Sequence, residues 1–353
     1  MSRRSWVAVG WVVSLALAVA VGWFAARWTL VPPAVAAHTH KVVLYRVREG
    51  KVGDTQNFSA TARWPTDSTL PNRASGVVTS VGVSPGATVQ SGTVLYSVDL
   101  RPVIAARGSV PSFRTLREGD RGPDVSQLNA FLAGQGLLAA GQGDSYSSAT
   151  AAAVRAWQGK LGTHIDGVVR SSDFIFFPRL PARVVLSPML SVGSQVSEGV
   201  GGVRVLGSSP SFVVILGQGQ ANLVPLRGTV LITGRGSIWQ AKIVRSVTTQ
   251  TGDLRLDLAG VDGRPVCRRQ CGAVSAVGSS LFPARIVVVP TTSGPLVPLS
   301  AIRTSPGGGR SVVDAAGKSL RVTVRASANG EAVVSGVAVG SRVRLFASGA
   351  QGG

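Results

Sequence analysis

Histidine and cysteine are almost missing from this chain, with three His and two Cys in 353 residues. A His-rich zinc hydrolase or a multi-zinc scaffold needs more ligands than that. Charged residues are sparse at 15%. That excludes a disordered charged polymer and a coiled-coil rod, whose heptads need abundant Glu, Lys and Leu. Lysine is rarest among the cations, five residues against 31 Arg, and the formal net charge is +20. Codon bias toward Arg explains this as readily as attraction to a polyanion does. Glycine is plentiful, at 44 residues, and short Val-rich runs recur. Together they indicate a mostly β protein, long enough for two or three domains with their own cores.

Arg3 and Arg4 precede an uncharged run from Ser5 to Ala26. At ~1.5 Å per residue such a helix spans roughly the hydrocarbon thickness of a bilayer. Trp6 and Trp11 sit toward one end, Trp23 and Trp28 toward the other, as in an aromatic belt. Residues 5–30 are therefore expected to form a single transmembrane anchor, with residues 1–4 a cytoplasmic tail and the bulk of the chain extracytoplasmic at the cell membrane. A cleaved signal peptide is the competing reading, with Ala34-Val35-Ala36 as its site, but its apolar region would be shorter. Either way nucleic acid is set aside as a partner, leaving anionic lipid headgroups or wall polymers. Residues 31–40 read as a linker whose His38 and His40 are simply solvated. Cys267 and Cys271, spaced C-x3-C, read as a disulfide outside the membrane. So small a ring removes little chain entropy, so its role is to pin a loop.

Two segments repeat one another. Gly86-Ala-Thr-Val89-Gln-Ser-Gly92 and Gly193-Ser-Gln-Val196-Ser-Glu-Gly199 are both G-x-x-V-x-x-G, each between Val-rich runs. Each copy is a strand, a tight glycine turn and a strand, too small to bury its apolar face alone. Two copies facing each other can close a small sandwich. The two halves resemble the split lipoyl-like (barrel-sandwich hybrid) domain of membrane fusion proteins, periplasmic adaptors of the HlyD and MacA type. The matching residues are Gly76, Val77, Val81, Gly86, Val89, Gly92, Leu95 and Asp99, then Val192, Gly193, Val196 and Gly199. A true cofactor carrier would need a Lys at a hairpin tip, and none occurs between Lys51 and Lys160 or between Lys160 and Lys242. No cofactor is expected.

Between the halves, where such adaptors carry a long helical hairpin, this chain has something else. Pro123 suits a first helical turn, Val125, Leu128 and Leu132 share one face, and Gly134 and Gly136 end the helix. A second helix starts near Ser147 or Ser148, with Thr150, Ala153, Val154, Trp157 and Leu161 on one face. The order Leu116, Gly119, Gly122, Asp124, Val125, Leu128, then Thr150, Ala153, Val154, Trp157, Gln158, Asp166, Gly167 resembles the peptidoglycan-binding-like domain. Asn129 stands where that family has Gln, and Trp157 where it has Phe. The apolar motif residues are core. Sugar or stem-peptide contact is expected from polar loop residues, with Arg121, Asp144 and Tyr146 as candidates. After Gly167 the run Asp173 to Phe177 reads as a returning strand.

From Ser211 onward the chain reads as short strands separated by Gly and Pro. The fold class expected is mainly β and multidomain. An N-terminal transmembrane helix leads to a split lipoyl-like module with a small α-helical insert, then a C-terminal β-barrel and a membrane-proximal β domain. The expected units are 41–70, strands added to the C-terminal β domains; 71–112, lipoyl-like half one; 113–170, the insert; 171–209, the return strand and half two; 210–290, the barrel; and 291–353, the membrane-proximal domain and tail. Pro290 to Ile302 resembles the junction before the last domain. No catalytic or metal residues are expected. An L,D-transpeptidase would need a Cys in an S-x-G-C context, whereas Cys271 lies in Arg-Arg-Gln-Cys-Gly. A zinc amidase would need more His, and no segment pairs carboxylates as a glycosidase requires. The resemblance implies an adaptor that binds peptidoglycan, docks on an ABC-type transporter permease and ATPase, and can assemble as a homo-oligomer. The alternative is a wall tether or sensor without a transport role.

Overall fold

The computed structural model describes residues 4–29 and 42–346; the linker 31–40, with His38 and His40, lies outside the described residues, as do 1–3 and 347–353. Helix α1 runs Arg4–Thr29. Its described side chains, 13–27, are apolar except Ser14 and Arg27 and are exposed except Ala26, from Val13 and Leu15 to Trp23 and Phe24. Among the described residues no helix is long and apolar enough to cross a membrane.

The two G-x-x-V-x-x-G lobes pair reciprocally. Gln195–Val196 pairs with Gly76–Val77, and Thr88–Val89 pairs with Ala182–Arg183. The turn glycines repeat the relation: Gly86 N–H donates to Val184 O and Gly193 N–H to Val78 O, each at 2.8 Å. Both take positive φ (81° and 87°), which glycine adopts without a Cβ penalty. Gly76 also takes positive φ (139°), and a Cβ there would in addition collide with the Asp99 carboxylate, which accepts the Val77 N–H at 2.8 Å. The two sheets enclose one core of Val78, Val89, Leu95, Tyr96, Val184, Val196 and Val203. Thr66–Pro71 pairs with Gly202–Leu206. Residues 66–70 therefore belong to this module, a correction to their expected place in the C-terminal domains.

Strands Arg101–Arg107 and Phe174–Phe177 pair in parallel, Ile104 opposite Phe174 and Ala106 opposite Phe176. Parallel strands need a long crossover, and the helical insert is that crossover. Helix α2 is Pro123–Gly134 and α3 is Ser148–Leu161. Leu116 and Val169 exchange backbone hydrogen bonds (2.8 and 3.0 Å), closing the insert's neck. Side chains alternate across the parallel pair. Val103, Ala105, Ile175 and Phe177 enter the lipoyl-like core, while Ile104, Ala106, Phe174 and Phe176 enter the insert's core. There Phe174 stacks on Trp157 at 4.8 Å and meets Phe131 edge-on at 4.9 Å.

A six-stranded barrel follows, closed by pairing of Thr229–Thr233 with Ser280–Pro298. Ser211–Leu216 and the first six residues of Ile238–Thr248 alternate between buried and more exposed positions, as half-buried strands do. Phe212, Trp239 and Phe282 fill the interior. Arg48–Arg63 and Ser280–Pro298 pair along most of their length and run from the barrel into the last domain. The boundary expected at 290/291 therefore falls inside one continuous strand. Leu44–Arg46 pairs with Arg342–Arg344, so the two ends of the described segment 42–346 meet in the last domain.

Phe174→Ala removes the ring that joins insert to module. It is expected to cost about 3–5 kcal/mol, read as a lowered thermal midpoint, whereas Leu100→Ala, at a side chain 81% exposed, leaves it unchanged.

Candidate functional site: the insert and its loops

The exposed end of the insert is made by two paired loops. Gly122 N–H donates to Asp144 O (2.9 Å) and Tyr146 N–H to Asp120 O (2.8 Å), with Arg121 bridged to Ser145. Gly122 precedes α2 and Pro123 opens it, where a missing N–H costs nothing. Arg114 fastens this corner: its guanidinium donates to the Asp124 carboxylate (2.7 and 3.1 Å) and to Arg121 O (2.7 Å). The same guanidinium holds the Asp124 carboxyl below its ordinary range. Arg121 and Asp144 are left exposed on adjacent strands of the loop pair.

Tyr146 is a correction. It is 1% exposed, and its hydroxyl donates to Gly167 O at 2.8 Å. Burial pushes its pKa up. It ties the loop end of α3 to the Asp166–Gly167 turn and offers no surface to a ligand.

Asn129 ties the second loop to the helices. Its amide donates to Gly143 O and Ser145 O (3.1 Å each), and its carbonyl accepts the Thr150 hydroxyl at 3.0 Å. Ser147 caps α3, accepting the Thr150 N–H, and Gly162 ends it in the left-handed region. Gln158, 2% exposed, uses its whole amide. It donates to Asp166 Oδ1 and Val168 O and accepts from the N–H groups of Asp166 and Gly167.

Sequence reasoning missed Arg114, and it missed Gln127, which exchanges two hydrogen bonds with Val110 (2.7 and 2.9 Å). Long polar residues in loops and on helix faces carry no spacing signal. Between α2 and the lipoyl-like module lies a cleft of about 400 Å³ lined by Ser91, Arg107, Ser126, Gln127 and Phe131. Chain neighbours could not reveal it, because the walls come from segments far apart in sequence. The Cys267–Cys271 disulfide is present, on the barrel and away from the insert.

Burial alone would raise the Asp166 carboxyl; the Arg170 guanidinium, the Val168 N–H and the Gln158 amide outweigh it and hold it well below the usual range. A carboxyl depressed in the folded state takes its proton first in the unfolded chain. Its stabilisation is complete above the ordinary carboxylate value, about pH 4, and drains as pH falls toward the folded value. Asp166→Asn is expected to lower the thermal midpoint at pH 7 and to shrink its fall on acidification below about pH 4.

No curated protein matches the chain. Among solved structures, it overlaps MacA from Actinobacillus actinomycetemcomitans at 14% identity, covering 85% of this chain and 98% of that one, with a TM-score of 0.36. ZneB from Cupriavidus metallidurans overlaps at 15% identity, covering 91% and 97%, TM-score 0.31. The membrane fusion protein Spr0693 from Streptococcus pneumoniae R6 does so at 16%, covering 66% and 99%, TM-score 0.27. Overlaps this loose leave function to the residues themselves. Within the chain, residues 121–169 match the family model described as a putative peptidoglycan binding domain.

Proposed function

We propose that this chain is a membrane-anchored extracytoplasmic adaptor that works without catalysis. The insert binds peptidoglycan, and the β domains dock on the permease and ATPase of an ABC-type exporter. One observation carries the reading: a domain matching a peptidoglycan-binding family packs on one face of a strand pair whose other face completes the core of the module that it interrupts. A wall contact made by the insert is then transmitted to the β domains without a flexible tether between them. Arg121 and Asp144, both exposed on the loop pair, are the contacts proposed.

Charge placement supports a position against the bilayer. Residues 42–53 and 291–346, which make up the last domain, hold ten Lys or Arg and three Asp or Glu. One of those acids, Glu331, is already paired with Arg48 at 2.8 Å. An excess of cations next to the strand that follows α1 suits anionic headgroups. On this reading, which rests on the uncharged sequence run from Ser5 to Ala26, residues 5–30 are the single span, with the N-terminus cytoplasmic.

Two measurements test the proposal. The full chain is expected to co-sediment with purified sacculi, and Arg121→Ala with Asp144→Ala to reduce the pelleted fraction several-fold while the thermal midpoint holds. Pelleting no better than that of a β-protein control would remove the wall from the account. Pull-down from the membrane fraction is expected to bring an ABC permease and ATPase. Wall binding without them would leave a tether or sensor.

A further inference from the structure

The Cys267–Cys271 disulfide joins residues four apart in the chain. A ring this small contributes little through the unfolded state, so its effect is on local shape. Cys267 is fully buried in the barrel core, and Cys271 packs against the same core. Between them the backbone doubles back: Arg268 N–H donates to Pro265 O (2.9 Å), Gln270 N–H to Cys267 O (2.8 Å), and Arg268 is held at φ 50°. A non-glycine residue in that region persists only where its surroundings over-determine it. Gln270 is also fixed through its side chain, whose oxygen accepts from the Trp239 indole (2.9 Å) and the Ser237 hydroxyl (2.7 Å).

This pinned segment forms the rim of a cavity of about 690 Å³ on the barrel. Arg264, Arg268 and Arg269 line it, and so do Ile238, Trp239 and Pro265. No acidic residue lines it, and among the described ion pairs none of the three arginines meets a carboxylate. Three guanidiniums within six residues of chain repel one another. The disulfide fixes the backbone that carries Arg268 and Arg269, beside an apolar wall. Guanidiniums bind oxyanions through paired, charge-assisted hydrogen bonds, and a concave apolar wall with a few convergent polar groups is the common form of a small-molecule site.

We propose that this cavity is a binding site for an organic oxyanion, a phosphate or sulfonate head on an apolar body. Arg264, Arg268 and Arg269 hold the head, Ile238, Trp239 and Pro265 hold the body, and the disulfide keeps the cations arranged to receive it. The site is separate from the insert and does not depend on wall binding.

The test uses the full chain in nanodiscs of zwitterionic lipid, titrated with 1-naphthyl phosphate by calorimetry. One saturable site is expected. Inorganic phosphate, which lacks the body, and 1-naphthyl glucoside, which lacks the charge, are each expected to bind at least tenfold more weakly. Arg268→Ala with Arg269→Ala, both exposed and so neutral to folding, is expected to weaken naphthyl phosphate at least tenfold with the thermal midpoint retained. Cys267→Ser with Cys271→Ser is expected to weaken it as well; if that variant fails to fold, the arginine pair decides. Absence of saturable binding, equal binding of phosphate ester and glucoside, or full affinity in the arginine variant would overturn the proposal.

Discussion

The strand pair Arg101–Arg107 and Phe174–Phe177 has no free face, and the rest of the architecture depends on that. One side of the pair completes the lipoyl-like core and the other completes the core of the helical insert. Phe174–Phe177 is buried at all four positions, as parallel strands covered on both faces are. Neither neighbour can leave without exposing aromatic surface. Trp157, Phe174 and Phe176 stack in a row, with Phe131 edge-on to the first two, and this aromatic cluster fastens the insert's helices to the strand. The ends of the pair are held as well, by Arg101 on Asp173 at 3.1 Å and by the Arg170 N–H on the same carboxylate. Burial raises the Asp173 carboxyl, so the cation and the N–H beside it are what keep a charge tolerable there.

From that pair the structure extends in two directions. Outward, the insert ends in two loops locked by Arg114 and Asn129, which leave Arg121 and Asp144 at the surface, while Gln158 holds the Asp166–Val168 turn. Inward, the lipoyl-like module meets the barrel without a break: Val185 and Leu206 join the barrel core, and the Arg183 guanidinium lies 4.7 Å from the Trp64 ring. The two long strands then carry the barrel into the basic last domain. Each junction is a shared core or a shared strand, so force applied at the insert has a continuous route to the other end.

Much of this was legible in the residues, for identifiable reasons. The glycine repeat could be read because each turn needs a positive φ, and its duplication implied two lobes that complete each other. Both insert helices could be read from Pro123, Ser147 and the apolar spacing. Other features were hidden. The run Pro290 to Ile302 resembled a junction between domains, yet one strand passes through it as far as Pro298, with register shifts between Val287 and Thr292 absorbing the irregularity. Tyr146 looked like a polar loop residue because its partner, the Gly167 carbonyl, is 21 positions away. The roles of Arg114 and Gln127, and the arginine-lined cavity beside the disulfide, come from packing that spacing does not encode.

The central claim is that insert and lipoyl-like module move as one body, and a distance distribution tests it most directly. Spin labels at Ser148 on the insert and Gln195 on the module, introduced as Ser148→Cys and Gln195→Cys with the native disulfide intact, would be measured by pulsed electron paramagnetic resonance. The account predicts a single narrow distribution, unchanged when sacculi are added. A broad or multi-peaked distribution in the free protein would show a hinged domain and contradict it.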